Sequence, residues 1–128
     1  PPPNPEPDPD PEPIPNPPPI PAAGFRALII YEQSAPLPNE QQAVMTSAAV
    51  REYLAQHCVK DAAGRPAFRI FDQNADLKNE DKIWRDAMAL PRAGLPWLIV
   101  SNGTAGYSGP LPENPEKAVE LLAKYAGP

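Results

Sequence analysis

Leu95-Pro96-Trp97-Leu98-Ile99-Val100-Ser101-Asn102-Gly103, followed six residues on by Gly109, constrains this chain more than any other stretch. It reads as a buried strand entered through a proline, turned at Asn-Gly and answered by a short partner strand over about residues 105–108. Asn-Gly is a strong hairpin signal because the tight primed turns need positive φ. A proline inside a central strand would remove a ladder donor, so Pro96 is expected at the strand's mouth. A cis peptide bond is the expectation there, because tight turns are where cis-proline is found.

The flanking segments supply the rest of a small domain. Residues 25–31 (FRALIIY) form a near-continuous apolar run, the pattern of a strand covered on both faces. Asn39 with Gln42 predicts a capped helix that carries Val44, Met45, Ala48, Ala49, Val50, Tyr53 and Leu54 on one side and ends near Cys58. Residues 61–64 read as a loop and 67–71 (AFRIF) as a second strand. Asn79 is the expected cap of a second helix with Ile83, Trp84, Ala87, Met88 and Leu90 facing inward, closed by Pro91. Asn114-Pro115 opens a last helix, with Ala118, Val119, Leu121, Leu122 and Tyr125 as its stripe and Gly127 as its stop. The order β-α-β-α-β-β-α predicts an α/β fold, a small mixed sheet with helices on both faces.

Residues 1–23 are a different material. Thirteen of the first 21 residues are proline, and Glu6, Asp8, Asp10 and Glu12 alternate among them. Ile14 and Ile20 are the only other apolar side chains there, too few to support a core. Proline fixes φ and lacks the amide donor, so an extended polyproline II stalk is expected, up to about 65 Å long. The chain opens on proline rather than methionine, which fits removal of an upstream export segment, other processing or an N-terminal truncation equally. Four of the sixteen acids lie in this stalk, leaving twelve acids against eleven bases in the domain of residues 24–128. No Lys/Arg cluster is present, so nucleic acid is not an expected partner. No apolar run is long enough for a membrane helix.

The element order and the 95–109 segment together resemble a thioredoxin, over about residues 25–127. In that resemblance Pro96 is the cis-proline, Asn102-Gly103 the turn and Gly109 the later glycine. The family's dithiol lies between the first strand and first helix, here Glu32-Gln33-Ser34-Ala35-Pro36-Leu37-Pro38, which holds no cysteine. Disulfide exchange needs an attacking thiolate and a resolving thiol, and a chain with one cysteine has no such pair. The resemblance therefore implies a non-catalytic thioredoxin-like module.

The remaining candidates are few. Cys58 is expected to be a small buried hydrophobe, and His57 beside it points about 100° away along a helix. The acids Asp72, Asp76, Glu80 and Asp81 do not match a calcium-loop spacing and are expected to complement a helix start. No catalytic residue, metal or cofactor is expected. In the resembling family the cis-proline lies beside a groove for extended peptide. Tyr31, Pro36, Pro96 and Trp97 are accordingly the expected partner-binding patch, against Trp97 in the core. The stalk, through Pro11, Ile14, Pro18 and Ile20, is the expected segment that docks on such a patch in another copy. The function expected is a structural or interaction component of a larger extracellular, cell-surface or virion assembly, with protein partners. The alternatives are a single-thiol redox enzyme using Cys58 and an envelope protein whose stalk spans a periplasm.

Overall fold

The structure, a computed structural model, describes residues 18–34 and 39–126. The expected stalk residues 1–17, with Pro11 and Ile14, lie outside the described residues, as do Pro36 and Gly127. The element order is β1 (Arg26–Tyr31), α1 (Asn39–Thr46), α2 (Ala48–His57), β2 (Phe68–Asp72), α3 (Lys82–Met88), β3 (Trp97–Ser101), β4 (Gly106–Pro110) and α4 (Pro115–Ala126). The four strands form one mixed sheet in the order β2-β1-β3-β4. β1 runs parallel to β2 and antiparallel to β3, and β3 runs antiparallel to β4.

Register and alternation sort the sheet's two faces. Ile30 opposes Trp97 and Leu28 opposes Ile99, so these four share one face, with Arg69 and Ser108. Ala27, Ile29, Leu98, Val100 and Tyr107 share the other. Ala27–Ile30 and Trp97–Ser101 are buried throughout, so both faces of the two central strands are covered. The Arg69 guanidinium lies 5.0 Å from the centre of the fully buried Trp84 ring, which puts α3 on the first face. α4 packs against β3, and α1, α2 and α4 pack on one another.

Three local features depart from the sequence reading. The expected single helix is two, because Ser47 adopts extended geometry and its hydroxyl accepts from the Val50 amide at 3.3 Å, capping α2. The break turns Ala48 and Ala49 out to solvent while Val44, Val50 and Leu54 stay buried. The cap residue of α3 is Asp81 rather than Asn79. In the β3–β4 turn only Gly103 has positive φ (88°), and Asn102 acts through its side chain, accepting from Thr104 and Ala105. With Asn102 N–H bonded to Ala105 O, the two turn residues are Gly103 and Thr104. Glycine is the residue that the first position of a type II′ turn requires.

The described N-terminal segment, residues 18–24, belongs to the domain. Ile20, read from the sequence as a stalk residue for docking on another copy, is 1% exposed in its own domain's core. Its carbonyl accepts from Ser101 Oγ at 2.8 Å. A Cβ on Gly106 would meet the Pro19 ring at 2.5 Å, so glycine there lets the segment lie on β4. Ala22 and Ala23 lie against Gly103, and Arg26 Nη2 donates to Ala23 O. Followed backwards from β1, the chain crosses the end of β3 and leaves over β4.

Candidate functional site

Open α/β sheets leave room for ligands beyond the carboxyl ends of their strands. Here that end carries Glu32 after β1, Gln73 after β2, and the segment between α3 and β3. The segment makes a ridge, with a cavity of about 620 Å³ on one side and about 290 Å³ on the other. Both are lined by Ala93, Gly94 and Leu95.

The larger cavity adds Glu32, Gln73, Leu90 and Arg92. The Glu32 carboxylate accepts from Gln73 Nε2, the Ser34 amide at 3.1 Å and the Ser34 hydroxyl at 3.0 Å. These donors, Gln73 first, hold its pKa below the ordinary value, so it is anionic at neutral pH. Arg92 donates to Met88 O at 2.8 Å, which ties the ridge to the end of α3. The smaller cavity is more apolar and is lined by Leu95, Pro96, Trp97, Pro110 and Gln41. The Leu95–Pro96 peptide bond is cis, and the Pro96 carbonyl accepts from the Leu111 amide at 3.1 Å. Gln41 Nε2 donates to the Leu111 carbonyl, fixing α1 against the same corner.

Trp97 has both a core and a site role. It is 9% exposed, and its indole N–H donates to Ser108 Oγ at 2.9 Å, so most of the ring fills the core and one margin reaches the cavity. Of the four residues expected to form one patch, the structure brings together Pro96 and Trp97. Tyr31 follows Ile30, the direct partner of Trp97, and so points to the opposite face. Pro36 is outside the described residues. The sequence reading missed Glu32, Gln73, Arg92 and the 93–95 ridge. The Ala-Gly pair between two prolines was the one available signal, since small residues leave backbone open.

The other singled-out residues are accounted for locally. Cys58 ends α2, gives its amide to Leu54 O at 2.9 Å and is 6% exposed. Burial pushes its thiol up to about 12, far from the reactive range. The His57 ring stacks on Tyr53 at 4.1 Å. Asp72 accepts from Gln33 N at 2.6 Å and Asn74 N at 2.9 Å, and Asp76 accepts from Lys78 N. Glu80 faces Arg69, and Asp81 stands at the N-cap position of α3, where its backbone carbonyl accepts from the Trp84 and Arg85 amides and its side chain makes no cap bond. Among the described residues no group of three His, Cys, Asp or Glu side chains converges on a metal position. No helix among them is long and apolar enough to cross a membrane.

No protein-family model, curated protein or solved structure matches this chain.

Proposed function

We propose that this chain is a non-catalytic, thioredoxin-like interaction module, carried on an acidic proline-rich stalk, that binds an extended segment of a protein partner at the ridge beside Pro96. The observation that carries the reading is the open backbone of Ala93, Gly94 and Leu95 between the two cavities. Among the described residues, the amides and carbonyls of these three make no hydrogen bond. An extended peptide satisfies such groups with its own main chain. The strand order and the proline at the mouth of β3 support the thioredoxin-like reading.

A module rather than an enzyme is favoured by the chemistry of the ridge. Its ionisable groups are Glu32, satisfied by Gln73 and Ser34, and Arg92, tied to Met88. The buried Cys58 thiol lacks the exposure and activation that the single-thiol alternative needs. Membership of a larger surface or virion assembly extends the same proposal, with the stalk giving reach.

The test is capture of partners from the protein's source by the immobilised full chain, beside a Gly94→Trp variant. A Cβ at Gly94 meets no atom within 4 Å, so the larger side chain fills the groove and spares the core. Capture by the native chain and its loss in the variant are expected. A monomer of 13.8 kDa that captures nothing overturns the proposal.

A further inference from the structure

We propose that the groove beside Pro96 is occupied, in the free protein, by this chain's own acidic proline-rich segment, residues 1–17, folded back along β4 of the same molecule. The inference rests on the reading of that groove as a surface for extended peptide. It adds an occupant, and with it a self-competing contact that a partner must displace.

The path follows from where the segment leaves the domain. Ile20 is locked in the core and Pro19 lies on Gly106, so the residues before them start at the β4 edge of the sheet. Pro110, on the smaller cavity, is at the other end of that same strand. Four residues of β4 span about 14 Å. Seventeen residues in polyproline II geometry reach about 53 Å. The tether is therefore several times longer than the gap. A tether of that kind holds its end at an effective concentration in the millimolar range, so weak contacts suffice for occupancy.

The chemistry of segment and groove is complementary. Most residues of the segment are prolines, which have carbonyls and no amide hydrogens, and four more carry carboxylates at positions 6, 8, 10 and 12. Such a segment is rich in acceptors and poor in donors. It has little to offer the edge of β2, whose outward groups call for both. The ridge supplies what it lacks: the amides of Ala93, Gly94 and Leu95, which donate to no other group among the described residues, and the guanidinium of Arg92. Pro96, Pro110 and the margin of Trp97 give the proline rings an apolar floor. Glu32 lies in the larger cavity with Arg92, so the carboxylates are expected to face Arg92 and avoid Glu32.

The experiment places a nitroxide on residue 11 of the full chain through Pro11→Cys. The buried Cys58 does not take the label, and the native chain treated in parallel checks this. In the ¹⁵N-labelled, spin-labelled chain, the Gly94 and Leu95 amides and the Trp97 indole signal are expected to lose more than half their intensity relative to the reduced nitroxide. The Ile70 amide on the far edge keeps its intensity. In a mixture of ¹⁵N chain without nitroxide and nitroxide-bearing chain without ¹⁵N, the groove signals stay unchanged. Groove signals untouched in the first sample overturn the proposal, as does attenuation that appears only in the mixture, where the occupant is a second copy. If attenuation is absent while Gly94-dependent capture of a partner persists, the occupant is wrong and the peptide groove stands. If both are absent, the reading of the groove fails with it.

Discussion

The Ser101 hydroxyl donates to the Ile20 carbonyl at 2.8 Å, joining the last residue of β3 to a segment 81 positions earlier in the chain. Both residues are essentially inaccessible, so the contact seals one corner of the sheet. Ile20→Ala is expected to lower unfolding free energy by about 2–5 kcal/mol, the usual cost of such a cavity. Ser101→Ala is expected to cost about 1–3 kcal/mol, because it leaves the Ile20 carbonyl and the Gly103 amide short of a partner. In urea titrations, removal of residues 1–17 should lower the midpoint only slightly, through loss of the weak groove contact, and removal of 1–23 should shift it further, by at least as much as Ile20→Ala. Equal midpoints for the two truncations would show that Ile20 contributes nothing to the core.

Asp61 and Arg69 set an acid limit. Asp61 Oδ2 sits 2.8 Å from Arg69 Nη2, and the Asp61 side chain also accepts from the Arg65 and Ala63 amides. The Arg69 hydrogen bond, followed by that from Arg65, lowers the Asp61 pKa to about 2. A carboxyl depressed in the folded state stabilises it above the unfolded pKa, near 4, and loses that contribution as pH falls towards 2. Stability is therefore expected to decline between about pH 4 and pH 2, and Asp61→Asn to be less stable at pH 7 with a shallower acid slope. An unchanged slope in Asp61→Asn would assign the acid limit to other carboxyls.

Cys58 gives the opposite sign. Burial raises its thiol to about 12, against an ordinary value of about 9. A group raised on folding contributes fully below its unfolded pKa and loses that contribution as pH rises through the folded one, here from about 9 to about 12. At pH 7.5 the folded chain should react with iodoacetamide at least tenfold more slowly than the same chain in denaturant, where the thiol has its ordinary acidity. Equal rates would mean that the thiol is open to solvent.

The sequence was most legible where local pattern and tertiary burial agree. Ala27–Ile30 of β1 and all of β3 are buried, and Asn114 caps α4 through its bond from the Lys117 amide. Legibility failed where a distant partner decides. Ile20 stands alone in a proline tract, and nothing near it reveals that Ser101 and Gly106 prepare a seat for it. Trp97 was readable as core or surface, and its bond to Ser108 leaves it mostly core with one margin in the cavity. The ridge was harder still, since its one signal is the small Ala93-Gly94 pair between Pro91 and Pro96.

Ser47 separates two accounts of the break between α1 and α2. A periodic apolar pattern continues through it, so helix propensity alone would join the two helices, and Ser47→Ala would then stabilise the chain, alanine being the strongest helix former. In the folded chain, however, Ser47 has φ −63° and ψ 127°, and its hydroxyl holds the Val50 amide. Val44 on one side and Val50 and Leu54 on the other are buried while Ala48 and Ala49 between them face solvent, whereas in one continuous helix Ala48 would share the side of Val44. Tertiary packing therefore imposes the break, and the cap satisfies the amide that the break exposes. Ser47→Ala is expected to cost about 1 kcal/mol in urea unfolding, and Ser47→Gly only a few tenths. A gain in stability for Ser47→Ala, with added helical circular dichroism, would instead mean that the helices fuse and that the core tolerates it.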